Sequence, residues 1–206
     1  MRHAKAESLI ETLVAITVIV IATTAALSVL RTALRGNELI GNKVVAINLA
    51  EEAFEALKNL RDTNYLLFAS DPDECWDKIN PTDVLTCSST TALTDGYTYY
   101  LRQNFTADPL YEWGITRATT AAQGNITLYD VDLDGDGTTD KQMYAQSNIT
   151  SVTGISSTST NQNIYRRRIS IEILSDDSYD ATVTITWTEF GQTKTLSLTR
   201  TISNVY

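Results

Sequence analysis

From Leu13 to Leu30 the chain carries no charged residue. As α-helix those eighteen residues extend about 27 Å, enough to cross the apolar core of a bilayer with little to spare. A continuous apolar surface of that length has to meet lipid or other protein, and it therefore constrains whatever the rest of the chain does. Glu11 sits just ahead of the run, and its carboxylate is the feature to explain. A secretory signal peptide would be cut after its apolar core, and Thr24 to Ala26 offers a weak small-x-small site, but this stretch is long for a segment of that kind. A plain signal anchor accounts for the length. It gives no reason for a carboxylate that costs roughly 2.5 to 3.5 kcal/mol near the middle of a span and less near an end. Arg2, Lys5 and the chain amine precede the run, so the positive-inside rule predicts a single pass, N-terminus in the cytoplasm and C-terminus outside.

Beyond that helix, 206 residues leave room for one head domain and not two. A net charge of -9 and a pI near 4.6 repel polyanions at long range, so no nucleic-acid partner is expected. His3 is the single histidine. The sequence after it therefore has no imidazole for a Ser-His or Cys-His pair or for a zinc site, and neither a Gly-rich phosphate loop nor a nucleophile elbow occurs. We expect no enzyme and no catalytic residues.

The helical pattern continues past Arg35. In NKVVAINLAEEAFEALKNLRD, Val45, Leu49, Glu52 or Ala53, Ala56 or Leu57, and Leu60 recur at helical spacing, which predicts an amphipathic second half. One helix from about residue 8 to about residue 62 would be roughly 80 Å long. Gly36 and Gly41, each costing about 1 kcal/mol against Ala, mark places where it could kink or melt. Residues 63–96 turn polar and contain Pro72 and Pro81, the composition of a connecting loop. Cys75 and Cys87 lie within it, and outside the cytoplasm a bridge between them would stabilise by about 3 kcal/mol in the chain-entropy description. From Tyr97 onward the residues become β-type. The clearest strands are YRRRISIEIL, DATVTITWTEF and QTKTLSLTRTI, the last two joined at Phe190 and Gly191. Alternation of Ala181, Val183, Ile185 and Trp187 with Thr182, Thr184, Thr186 and Thr188 predicts a half-buried antiparallel strand. In the run Arg166 to Arg168, Arg167 is expected to point opposite its neighbours, leaving a solvated strand edge rather than a basic patch. The N-x-T sequons at Asn104, Asn125 and Asn148 carry no conclusion in so Thr-rich a chain.

The order of residues at the N-terminus, a short basic leader, a small residue and then ESLIETLVAI, resembles the type IV prepilin signal. In that family a Gly precedes the cleavage point and a Phe-Thr-Leu-Ile-Glu run leads directly into the helix. Here Ala6 stands at the Gly position and Glu7 at the Phe or Met position, and Glu11 is the fifth residue after cleavage. The resemblance implies a leader of residues 1–6, removed by a prepilin peptidase, and methylation of the new N-terminus at Glu7. A helix over 7–62 would follow, with about 9–30 first in the inner membrane and then in a filament core. After it come the connecting loop over 63–96 and a β-sheet head over 97–206, together an α+β, pilin-like fold with the helix packed on an antiparallel sheet. It gives Glu11 a partner as well. Cleavage creates an α-amine one helical turn away, and in a filament the amine would be mainly that of a neighbouring copy or another pilin, setting axial register. The implied partners are other pilins, the inner membrane and the pilus assembly machinery. The implied destination is a cell-surface filament, either a type IV pilus or a type II secretion-like pseudopilus, with this chain a major or minor subunit.

One further motif is independent of that resemblance. DVDLDGDGTTDKQ places Asp132, Asp134 and Asp136 at alternate positions, Gly137 next and Asp140 three beyond, the D-x-D-x-D-G-x-x-D phase of calcium loops. With the Thr138 carbonyl, these carboxylates would hold Ca2+. The twelfth position is Met143, so the bidentate Glu of an EF-hand is missing, and an affinity in the weak extracellular range of about 0.1 to 1 mM is expected. An acidic β-turn is the plainer reading of the same residues. Calcium and a membrane helix also fit a different class of protein, a membrane-anchored, calcium-dependent adhesin or binding module that never polymerises.

Overall fold

The computed structural model describes residues 4–79, 87, 91–103, 113–120, 124–132, 136, 138–139, 141–145, 156–159 and 165–204. They form an α+β chain with a long N-terminal helix and a C-terminal antiparallel sheet, divided into two units, Met1–Val45 and Ala46–Tyr206. Helix α1, Ala4–Leu67, supplies the described part of the first unit and the opening of the second.

In the first unit α1 is made largely of Val, Ile, Leu, Ala and Thr. Its hydroxyl groups turn inward on the helix itself. Thr12, Thr17, Thr23, Thr24, Ser28 and Thr32 each donate to a carbonyl three or four residues back, at 2.7 to 3.0 Å. Back-bonding of this kind leaves no hydroxyl between residues 9 and 35 in need of water, which keeps the surface effectively apolar. The large apolar side chains from Leu9 to Leu34 are between 53 and 68 % exposed. The most apolar eighteen-residue stretch has a mean hydropathy of 2.6 and buries nothing, so this helix is long and apolar enough to cross a membrane. Helical structure runs through Gly36 and Gly41 without interruption, and a Cβ at either would meet no atom within 4 Å. The local melting expected there is absent because a glycine costs only about 1 kcal/mol against the many helical residues on either side.

In the second unit the same helix becomes two-faced. Ala46, Leu49, Ala50, Ala53, Phe54, Ala56, Leu57, Leu60 and Asn64 are buried. The stripe thus starts at Ala46 and not at Val45, which is only half-buried, and of the alternatives Glu52 or Ala53 it is Ala53 that faces inward. The helix also outruns its expected end at residue 62 by one turn. Buried Asn64 explains the extra length, because its Nδ2 donates to the carbonyls of Trp76 (3.1 Å) and Lys78 (2.8 Å) and ties the following segment back to the helix.

That segment is more ordered than a loop. It contains the single-turn helix α2 (Pro72–Cys75) and strands β1 (Lys78–Ile79) and β2 (Thr91–Ala92), paired antiparallel. Cys75 and Cys87 are disulfide-bonded with Cα atoms 5.6 Å apart, and both sulfurs pack with Phe68 and Leu67 in a small apolar cluster. Trp76 stacks on Tyr179 of the sheet at 5.3 Å between centroids.

The sheet runs in the order β10 (Gln192–Ser203), β9 (Ser178–Glu189), β8 (Tyr165–Ser175), β3 (Thr98–Gln103), β4 (Trp113–Arg117), with every pairing antiparallel. Strand β5 (Asn125–Asp132) pairs with the start of β8 and with β6 (Lys141–Ala145) and β7 (Ser156–Ser159). The alternation read in β9 is observed, with Ala181, Val183, Ile185 and Trp187 buried and the intervening threonines at least partly exposed. Phe190 and Gly191 both take positive φ, 48° and 75°, giving the two-residue hairpin whose twist matches its strands. The exposed edge β10 carries Lys194 and Arg200, charges that discourage edge-to-edge pairing.

The expectation of a solvated strand edge at Arg166 to Arg168 is corrected here. Strand β8 is interior, flanked by β9 on one side and by β3 and β5 on the other, and Arg167 is only 2 % exposed.

Candidate functional site

The buried arginine follows from strand periodicity. Tyr165, Arg167, Ile169 and Ile171 share the inner face of β8, so a cation is carried into the apolar layer by its register. Its Nη1 donates to the Leu49 carbonyl (2.9 Å) and to Glu52 Oε2 (2.6 Å), both on α1. Burial pulls the guanidinium pKa below its ordinary value and the adjoining Glu52 carboxylate opposes that shift. At the open edge of the sheet, Arg200 donates to Glu51 (2.6 Å) and lies over the Phe54 ring, while Arg61 donates to the Ser203 carbonyl (3.1 Å). Tyr65 and Asn204 close the last turn of this seam. Three charged bridges thus hold the amphipathic half of α1 to β8 and β10. They were legible only in part, because the alternation of β8 points to Arg167 but nothing in the sequence pairs it with Glu52.

Of the residues singled out from the sequence, Ala6 and Glu7 lie in the first turns of α1, with side chains outside the described residues. Glu11 is exposed on the helix, the one charged residue among an apolar surface that runs to Leu30. One helical turn separates it from Glu7, the spacing at which charges interact along a helix.

The acidic segment connects β5 to β6, paired from Thr127–Ala145 to Val131–Lys141, so it is a hairpin connection flanked by strands. Asp132 ends β5, and Asp134 and Asp140 lie outside the described residues. Asp136 Oδ1 accepts the Thr138 backbone N–H (2.7 Å) and the Thr138 hydroxyl (2.6 Å), and these bonds hold its carboxyl below the ordinary aspartate range. Asp136 is therefore a stable anion at neutral pH. Among the described residues no group of three metal-ligating side chains converges.

No protein-family model matches the chain, no curated protein matches it in sequence and no solved structure matches it in fold.

Proposed function

We propose that this chain is a structural subunit of a type IV pilus or of a related secretion pseudopilus, held in the membrane by the first part of α1 and polymerised through it after removal of residues 1–6. The observation that carries this reading is the exposed apolar surface from Leu9 to Leu30, interrupted near its start by Glu11. Such a surface is stable in lipid and, equally, against the helices of neighbouring copies, so one segment serves as anchor before assembly and as filament core after it. The carboxylate supplies what packing of apolar helices lacks, an axial position. Cleavage after Ala6 frees an amine at Glu7, and an incoming subunit gains a charge pair only when its helix has advanced until Glu11 and a neighbour's amine meet.

The first test is the N-terminus. Sequencing of protein recovered from surface filaments should begin at Glu7. A chain that still carries Arg2 and His3 in assembled material, or that starts near Leu27, rejects the proposal. Protein that stays monomeric in the membrane with its leader intact would favour the non-polymerising, calcium-dependent adhesin instead.

Calcium belongs to the same proposal as a stabiliser of the head. Asp132, Asp134, Asp136 and Asp140, with the Thr138 carbonyl, would supply hard oxygen ligands at the β5–β6 connection. At about ten times the dissociation constant, binding stabilises by RT ln(1 + [L]/Kd), roughly 1 to 2 kcal/mol, worth about 3 to 6 °C in melting temperature. Thermal unfolding of the full chain in detergent should show that rise with millimolar calcium over chelator. An Asp134→Asn, Asp136→Asn variant should lose it. If wild type and variant melt alike in both solutions, the segment is a turn and nothing more.

A further inference from the structure

Strand β8 changes neighbours part-way along its length. It pairs with β3 at Ser170 and Ile169 and with β5 at Arg166 and Tyr165, and a cavity of about 250 Å3 opens on the sheet where the switch occurs. Gly124 forms part of its wall and has to be glycine, since a Cβ there would stand 2.7 Å from the Arg167 carbonyl oxygen and 3.1 Å from Arg166 Cγ. Among the described residues the rest of the wall is hydroxyl-rich, with Thr98, Tyr100, Thr119 and Thr120, and its one exposed cation is Arg168.

The arginines around it are engaged elsewhere. Arg166 donates to Asn125 Oδ1, Arg167 to Glu52, and Arg117 lies over the Tyr97 ring. Among the described residues Arg168 has no ion pair or hydrogen bond, and none of those that line the cavity is a carboxylate. On a chain of net charge -9, a guanidinium left available in a concave, hydroxyl-lined site is suited to a singly charged oxyanion. One arginine matches one carboxylate through its two-pronged donor face, whereas a phosphate dianion would call for a second cation. Threonine and tyrosine hydroxyls, each both donor and acceptor, match the hydroxyls of a sugar ring.

We propose that this cavity binds the uronate end of an acidic glycan, with Arg168 on the carboxylate and Thr98, Tyr100, Thr119 and Thr120 around the ring. The site lies in the head and is independent of whether the chain polymerises. Titration of the full chain in an uncharged, sugar-free detergent with methyl β-D-glucuronide, followed by calorimetry and saturation-transfer NMR, should show saturable binding. Methyl β-D-glucoside and acetate should each bind at least tenfold more weakly, because each lacks half of the recognition. Arg168→Gln, a change at an exposed position, should leave the melting temperature unchanged and weaken glucuronide binding at least tenfold. Absence of binding to the wild type overturns the proposal, as does equal binding of the glucoside, of acetate or of inorganic phosphate, or full retention by the variant. The wild-type comparison decides the matter even without the variant.

Discussion

Replacing Glu11 with alanine should leave the protein inserted in the membrane with its head folded, and should stop filament assembly when the variant is the sole subunit. Insertion is not at risk, since removing a carboxylate from the start of an apolar helix lowers the cost of placing it in lipid. Folding of the head is not at risk either, because Glu11 lies in the first unit of the chain, exposed on the helix, and is no part of the unit that holds the sheet. Assembly is different. In the proposed filament the amine of a neighbouring subunit would be left buried without a counter-charge, which costs about 3 to 5 kcal/mol. That corresponds to two to three and a half orders of magnitude in the docking equilibrium for each added subunit, at about 1.4 kcal/mol per tenfold. A filament built by repeated addition does not survive such a loss at every step. Electron microscopy of cells expressing only the variant, beside membrane fractions probed for the inserted protein, is the measurement. Filaments of normal number and length would show that the carboxylate has no part in register. Glu11→Gln separates charge from size and should fail in the same way.

The second large effect is expected at Arg167. Changing it to alanine removes a buried side chain and its bonds to the Leu49 carbonyl and Glu52 together. Glu52 then keeps a charge that its environment had compensated. Its side chain remains 28 % exposed, so the loss should fall at the lower end for a broken buried pair, about 3 kcal/mol. For a unit of this size that lowers the melting temperature by about 6 to 12 °C. A matched apolar replacement, Arg167→Met with Glu52→Gln, should recover much of it, since both desolvation penalties disappear with the charges. Thermal unfolding of the three proteins in the same detergent tests this. An Arg167→Ala chain that melts within about a degree of wild type would mean the pair contributes nothing to holding β8 against α1.

The placement of these two charged residues separates what local sequence determines from what it cannot. The placement of Glu11 on an exposed apolar helix was legible because it is one-dimensional, a charge beside an uncharged run, read by counting along the chain. The same holds for the α1 surface, for the β9 alternation and for the Phe190–Gly191 turn, where neighbours in sequence are neighbours in space and a period of 3.6 or 2 assigns each side chain a face. The proximity of Cys75 and Cys87 was legible too, since few residues intervene and a short chain has few ways to keep them apart.

What lies between residues 63 and 96 was not. Pro72 and Pro81 announce a break, but the extra helical turn to Leu67 and the β1–β2 pair depend on Asn64 reaching the carbonyls of Trp76 and Lys78 and on Trp76 finding Tyr179, a partner about a hundred residues away. Arg167 was read as solvated because three successive arginines usually are, although the strand pattern already set it among Tyr165 and Ile169. Only the fold decided that β8 is an interior strand, and only the fold brought Glu52 to it. The cavity beside Arg168 likewise exists because β8 exchanges β3 for β5 at one point. A chain's periodicity specifies which way each residue faces, because that is geometry repeated every turn or every second residue. Which faces meet is settled by non-local burial, and there the tertiary structure alone converts a run of three arginines into a buried clamp, an Asn-bonded neighbour and an available cation.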